Sequence, residues 1–138
     1  MAHDTISQDR ARTERLRQML RDRRQAVQHE VEDLLRRRRA TQAQQWTESV
    51  PDAADHARNT ESADRELALL ESRSRLAQQF DEALQQLEDG RYGICIECGA
   101  AIGLERLKAV PFAKRCVSCQ EKAERIDQLE HASERRTL

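Results

Sequence analysis

The sequence predicts a mostly α-helical protein, an antiparallel coiled-coil hairpin with a small four-cysteine finger at its base and a C-terminal helix. Three observations predict this fold. Two long stretches carry apolar residues at helical spacings, and all four cysteines fall in two C-x-x-C pairs. Charged residues make up 36% of the 138 residues and aromatic residues only 3%. The core must therefore be thin, with most helical surface facing water.

The first helical stretch covers about residues 7–49, which contain neither glycine nor proline. Apolar residues recur along one side of it at spacings of three, four and seven: Leu16, Leu20, Val27, Val31 and Leu34. This pattern predicts a helix with Ser7 as its N-cap. Arg23 and Arg24 interrupt the stripe, so a single helix and two helices joined by a bend near residues 21–25 both fit.

Residues 36–39, all arginine, form the densest positive charge in the chain. Consecutive helical residues point in four directions, so two interpretations stand: a solvated helix face, or an electrostatic contact with an acidic partner. Further along, Trp46 precedes the break between the helices. We expect its indole to pack across the hairpin, and a contact with a partner protein is the less favoured alternative.

The second helical stretch covers about residues 64–88, after a break at Val50-Pro51, because the residue before a proline avoids the α region. Its stripe alternates steps of four and three: Glu66, Leu70, Arg73, Ala77, Phe80, Leu84 and Leu87. Such steps are typical of a coiled-coil seam. Two helices joined by a short connection favour antiparallel packing, in a hairpin on the order of 40 to 50 Å long that ends at Asp89-Gly90.

The cysteines predict a metal site, since Cys95 and Cys98 form one C-x-x-C pair and Cys116 and Cys119 the other. Two such pairs can bring four thiolates into a tetrahedral cage that suits one zinc ion. Two disulfides are the less favoured alternative, because nothing else in the chain indicates secretion. Four sulfur ligands leave no open position for water, so a structural zinc is expected rather than a catalytic one.

We expect two parts in the chain. Residues 1–93 would form the N-terminal helix and the hairpin, with its tip at about residues 50–60, and residues 94–138 the four-cysteine zinc finger and a C-terminal helix. In that last helix Ala123, Ile126 and Leu129 recur every three residues. They predict a short amphipathic helix that starts on the second cysteine pair and lies along the finger or the base of the hairpin.

Charge and hydropathy narrow the classes of function. A formal net charge of −1 gives no general attraction to nucleic acid. No apolar run is long enough to span a membrane, and the N-terminus has no apolar core of a secretory signal. We therefore expect a monomer in the reducing cytoplasm.

The connection between the helices carries two carboxylates three residues apart, Asp52 and Asp55, followed by Ala57. One interpretation is helix-start chemistry, in which acids near an N-terminus offset the dipole and bind free N–H groups. The other is a contact with a partner. An acid/base pair for catalysis is disfavoured, since an exposed tip offers no burial to separate two pKa values.

At this point the chain resembles the DksA/TraR family of bacterial transcription factors. The finger follows the family signature as Cys95-x2-Cys98-x3-Ile102-x3-Arg106-x4-Pro111-x4-Cys116-x2-Cys119, and the tip follows the family's D-x-x-D-x-A motif. Ile96 departs from it, because the family usually has an acidic residue or serine there. The resemblance covers helix, tip, helix, finger and tail helix, which is nearly the whole chain.

The resemblance implies a regulator without enzymatic activity that binds RNA polymerase rather than DNA. Such proteins insert the coiled coil into the secondary channel of the polymerase and place the tip acids, here Asp52 and Asp55, near its active site. Better-known members act in the stringent response with the alarmone ppGpp. Their ppGpp site uses basic residues at positions that here hold Gln79, Val110 and Gln120, which implies little dependence on ppGpp.

Two rival functions stay open at this level. A zinc-ribbon nucleic-acid binder would need a basic and aromatic surface, for which the finger offers only a few cations and one aromatic side chain for stacking, Phe112. A thiol redox sensor would need a reactive thiol, which closed zinc coordination masks.

Overall fold

A computed structural model describes residues 2–47 and 52–135. The chain forms four helices in this part: α1 (Ala2–Gln45), α2 (Ala53–Glu88), α3 (Leu104–Ala109) and α4 (Val117–Glu134). The only strand-like pairing among the described residues is an isolated antiparallel bridge between Ile94 and Ala101. The predicted mostly α-helical fold class is confirmed, although α3 was not predicted. The predicted break at Val50-Pro51 lies outside the described residues.

Helix α1 is one continuous helix, without a bend into two helices near residues 21–25. It begins at Ala2, so the predicted N-cap at Ser7 is wrong; Ser7 lies inside the helix because no helix breaker precedes it. The helix ends at Gln45, where the backbone N–H of Thr47 donates to the Gln44 carbonyl at 3.0 Å. That bond closes a turn at the end of α1.

The chain divides into two compact units, one of which is Leu20–Glu82. In it, α1 and α2 run antiparallel: Arg24 pairs with Asp81, and Glu30 pairs with Arg73 at 3.0 Å. Rising numbers on one helix therefore meet falling numbers on the other. In this register, each predicted seam residue of α2 lies opposite the predicted seam of α1.

Burial along this seam is graded. Leu20, Val27 and Phe80 are buried, whereas Leu34 and Leu70 are half-buried. Beyond them, residues 39–47 and 53–65 are all exposed. Hydrophobic packing thus holds the two helices together only over the part of the unit where the heptad pattern is apolar.

Helix α2 starts at Ala53, eleven residues before the apolar stripe from which its start was predicted. Its N-terminus is set by Asp52, whose carboxylate accepts the backbone N–H of Asp55 at 2.8 Å. Asp is a favoured N-cap and alanine a strong helix former, so the first turns form without a buried face. The helix-start interpretation of Asp52 is thus confirmed, and the stripe that begins at about residue 64 marks where α2 carries its seam rather than where the helix starts.

The second compact unit comprises Met1–Met19 and Ala83–Leu138. Here α2 ends as predicted at Glu88. Gly90 has φ +73° and donates to the Leu87 carbonyl, while Arg91 donates to Gln86. These two bonds form a Schellman motif, which requires a residue in the left-handed conformation. The core of this unit consists of apolar side chains from the helix ends and the finger: Leu16, Leu87, Tyr92, Ile102 and Leu107.

Two predicted packing contacts are wrong. Trp46 is 90% exposed and does not pack across the hairpin, because it lies just beyond the end of α1, where no seam continues. Helix α4 starts on the second cysteine pair as predicted, but it is 18 residues long rather than short. Its Ile126 and Leu129 are 57% and 67% exposed. Ala123 is half-buried, so only the part of the apolar face from Ile126 onward fails to pack along the finger or the hairpin base.

None of the helices in the described part of the chain has both the length and the apolarity to cross a bilayer.

Candidate metal centre

The four cysteines lie together in one cluster. Their sulfur atoms all lie within 4.8 Å of one another, and the Sγ atoms of Cys98 and Cys116 are 3.9 Å apart. Tetrahedral coordination with Zn–S bonds of about 2.3 Å requires sulfur atoms about 3.8 Å apart. The donor set and its spacing therefore fit one zinc ion, which Cys95, Cys98, Cys116 and Cys119 would hold.

The first pair lies on a tight knuckle. The Cys95 carbonyl accepts the N–H of Gly99 at 2.9 Å, and the Cys95 N–H donates to the Ala100 carbonyl at 2.8 Å. This turn requires a positive φ, which Gly99 adopts at +71°. Gly103, by contrast, has φ −58° and is the residue that precedes α3.

The second pair lies at the start of α4. Cys116 is the N-cap residue of this helix, and its carbonyl accepts the N–H of Gln120 at 2.9 Å. The first N–H groups of a helix have no partner within the helix, and the second pair lies at that end of α4. Ile96 donates its N–H to the Lys114 carbonyl at 3.0 Å, so the backbone also ties the first knuckle to the segment before the second.

The environment of the cysteines separates their ionisation. The backbone N–H groups of Cys116 and then Cys98 donate to Cys95 and lower the pKa of its thiol to about 6, although burial acts in the opposite direction. For Cys119, a hydrogen bond with the Cys116 side chain and burial raise the pKa to about 12. Without a metal the cluster thus resists accumulating negative charge, and zinc binding provides the charge that allows all four thiols to ionise.

Several side chains that sequence reasoning did not single out support the finger. The Tyr92 hydroxyl donates to the Pro111 carbonyl at 2.7 Å, and Arg12 on α1 donates to the Ile102 carbonyl at 2.6 Å. Arg106, noted only as a signature position, donates to the Arg115 carbonyl at 3.0 Å. Each bond satisfies a loop carbonyl that has no helix or strand partner. The long-range partners leave no periodic signal in the sequence.

Gly93 allows the closest approach in this unit. It has φ +74°, and a Cβ atom placed there would lie 3.1 Å from Leu107 Cδ1 and 3.4 Å from Arg12 Nη2. The backbone of Gly93 thus packs directly against α3 and α1, and its carbonyl accepts the Ile102 N–H at 2.8 Å. Glycine is needed here for both conformation and space.

The predicted tip residues belong to the Leu20–Glu82 unit, whereas the cysteines belong to the other unit. Asp52, Asp55 and Ala57 are all exposed at the start of α2. The Asp52 carboxylate caps the helix, as described above, and Asp55 lies in the first turn. The capping interpretation therefore applies to Asp52, while the side chain of Asp55 is open to solvent.

Comparisons with known proteins agree with this architecture. Residues 90–125 match the model of the prokaryotic dksA/traR C4-type zinc finger. The RNA polymerase-binding transcription factor DksA of Caulobacter vibrioides is 39% identical over 100 residues, covering 71% of this chain and 70% of that protein. The protein of the same name from Escherichia coli K12 is 33% identical over 87 residues, covering 63% of this chain and 58% of the relative.

The fold is also similar to a solved structure. Transcription factor DksA2 from Pseudomonas aeruginosa matches with a TM-score of 0.72 and 33% identity, over 86% of this chain and 87% of that one. Similarity in sequence, finger and fold thus extends over most of the chain. The chain belongs to the DksA family and carries its C4-type zinc finger.

Proposed function

We propose that this chain is a DksA-like transcription regulator that binds RNA polymerase and modulates initiation. The observation that carries the proposal is the similarity, over 71% of this chain, to a Caulobacter protein named an RNA polymerase-binding transcription factor. The chain is not an enzyme, and its cofactor is a structural zinc ion. We place it in the cytoplasm, where its polymerase partner lies and where thiols stay reduced.

The zinc would hold the finger together. Residues 94–103 contain little regular structure, and the backbone bond from Ile96 to Lys114 joins the segments that carry the two cysteine pairs. A closed shell of four thiolates on Cys95, Cys98, Cys116 and Cys119 would fix both pairs to one point. We assign the ion a role in folding rather than in chemistry.

We propose further that the paired helices of the Leu20–Glu82 unit enter the secondary channel of the polymerase. Two features support this. The helices carry a seam that stiffens them, and the residues nearest their connection are all exposed and available to a partner. In this proposal Asp52, Asp55 and Ala57 reach the active region of the enzyme.

Asp52 and Asp55 would play different parts at the tip. Asp52 already serves as the N-cap of α2, so its substitution changes the helix as well as the charge. Asp55→Asn removes a charge without removing the cap. We expect Asp55→Asn to bind polymerase nearly as well as the unaltered chain and to lose its effect on transcription.

Dependence on ppGpp is expected to be weak. Gln79, Val110 and Gln120 are uncharged, and charge-assisted bonds from basic side chains are what hold phosphate groups. Three cations lie nearby, Lys108, Lys114 and Arg115, and of these Lys114 is exposed while the other two are ion-paired. Lys108 pairs with Glu105 at 2.8 Å and Arg115 with Glu97 at 3.1 Å, so both would have to leave a carboxylate to meet a phosphate.

In vitro transcription from a ribosomal RNA promoter tests the proposal, in parallel with a binding assay on purified polymerase. We expect binding and a change in initiation with the unaltered chain, binding without the change with Asp55→Asn, and little additional effect of ppGpp on polymerase whose own ppGpp site is disabled. Absence of polymerase binding by the zinc-loaded chain refutes the function. A strong increase in inhibition with ppGpp refutes only the ppGpp proposal.

A further inference from the structure

One side of α1 carries an exposed stripe that the fold does not use. Arg36, Arg39, Ala43 and Trp46 recur at steps of three, four and three, the spacing that keeps residues on one side of a helix. Trp46 lies one residue past the end of α1, in the turn that Thr47 closes onto Gln44. All four residues are exposed. We call them the Arg/Trp stripe.

The stripe faces away from the hairpin seam. On the same part of α1, the seam residues Leu34 and Arg38 are half-buried, whereas the stripe residues are exposed. Trp46 is 90% exposed, more than any other large apolar side chain in the described part of the chain. An indole left in water forfeits a large apolar contact, so a partner that covers it gains binding energy.

Positive charge dominates the stripe, with Asp33 and Glu48 flanking it in the sequence. From residue 34 to residue 47 the sequence has four arginines and no acid. Arg36 donates to Asp33 at 3.1 Å, yet 76% of its side chain stays exposed. No ion pair of Arg39 is found among the described residues. The guanidinium groups are thus available to carboxylates, which they bind through two parallel hydrogen bonds.

We propose that the Arg/Trp stripe is a docking surface for RNA polymerase, where Trp46 enters an apolar notch whose rim carries carboxylates. This inference rests on the proposed function and adds to it a contact beside the tip acids. Tryptophan and arginine are the residues most enriched where interfaces derive their energy, and Ala43 between them lets the partner approach the helix closely. The stripe shares no residue with the tip motif or the finger.

A single-stranded nucleic acid is the competing occupant. Such ligands need several aromatic platforms along a basic groove, and they follow it over several nucleotides. In the Leu20–Glu82 unit the other aromatic residue, Phe80, is buried. The arginine run on α1 is short, because the acidic residue Asp33 lies just before it. One indole beside two arginines suits a compact contact with a protein better than a track of phosphates.

The test measures polymerase binding by zinc-loaded full-length variants. Trp46→Ala is expected to weaken binding roughly thirtyfold, as a hot-spot truncation does. The double variant Arg36→Gln/Arg39→Gln should weaken it about tenfold and reduce its dependence on salt. Leu129→Ala and Arg125→Gln, which alter exposed residues of α4 outside the Leu20–Glu82 unit, serve as matched controls and should change binding less than about twofold. All these substitutions lie on the surface, so helix content and melting should be unchanged.

A spectroscopic arm reports on the contact directly, because Trp46 is the only tryptophan in the chain. Replacement by 5-hydroxytryptophan allows excitation apart from the tryptophans of the polymerase. A blue shift of its emission on binding supports the proposal. Unchanged emission, or binding by the stripe variants equal to that of the unaltered chain, overturns it while leaving the proposed function intact.

Two further outcomes are decisive. If the unaltered chain does not bind polymerase at all, the proposed function fails and this inference fails with it. If the unaltered chain shifts a labelled single-stranded oligonucleotide and Trp46→Ala abolishes the shift, the stripe is a nucleic-acid site and the polymerase proposal is wrong.

Discussion

The finger and the hairpin of the Leu20–Glu82 unit are built on opposite principles. In the finger, Cys95, Ile102 and Leu107 are at most 1% exposed, and short backbone bonds fix nearly every turn. In the hairpin, residues 39–47 and 53–65 are all exposed, and the helices persist through local bonds and a cap. The finger therefore depends on a metal and on close packing, whereas the hairpin depends on the periodicity of its helices. A substitution that unfolds one of these two regions should therefore leave the other region folded.

The largest effect should follow loss of the metal. Cys116→Ser, or removal of zinc by a chelator, should unfold the finger, because structural zinc contributes on the order of 10 kcal/mol in small domains. Hydrogen exchange read by mass spectrometry should show protection lost across residues 95–102 and retained around Val27 and Phe80. The prediction is contradicted if the Cys116→Ser variant still holds one zinc per chain. It is also contradicted if the hairpin unfolds together with the finger.

A truncation in the seam should have the converse effect. Phe80 is 4% exposed, so Phe80→Ala should destabilise the hairpin by about 3–5 kcal/mol through lost burial and a cavity. Leu69→Ala, on the same helix at 44% exposure, is the control and should change stability by less than about 0.5 kcal/mol. Denaturant unfolding with zinc content recorded alongside measures both. Equal effects of the two substitutions would show that the seam is not the core of this unit.

Two glycines with the same conformation should respond differently. Gly93 and Gly90 have φ +74° and +73°, but an added Cβ meets Leu107 at 3.1 Å only at Gly93, whereas open space surrounds Gly90. Gly93→Ala should cost about 1 to 3 kcal/mol, and Gly90→Ala about 1 kcal/mol from backbone strain alone. Thermal melting of the zinc-loaded variants gives the comparison. If the two melt alike, close packing at Gly93 adds nothing to the strain.

The smallest effect concerns the helix cap. Asp52→Ala should destabilise the start of α2 by about 1 kcal/mol, while Asp52→Asn should be nearly neutral, since asparagine caps as well as aspartate. Amide exchange of Asp55 and His56 reports on this turn. If the helix start frays as much with Asp52→Asn as with Asp52→Ala, the charge of Asp52 rather than its capping hydrogen bond sets the helix start.

Periodic and local patterns in the sequence determined much of the fold and of the metal cluster. The steps of four and three from Glu66 to Leu87 located the α2 seam, and Asp89-Gly90 located its end, because helix periodicity and glycine conformation act within a few residues. The spacing of the four cysteines predicted one cluster, since each C-x-x-C pair fits a single turn. Those features need no knowledge of distant parts of the chain.

What each surface contacts depends on the tertiary structure. Trp46 and Leu129 carry the same apolar signal as Leu20, yet the first two are exposed and Leu20 is fully buried, because burial depends on whether another element lies opposite. Arg12 reaches the Ile102 carbonyl across ninety positions of sequence, and Gly93 must be small because Leu107 packs against it. Contacts between residues far apart in sequence follow from the packing of whole elements, which no local pattern records.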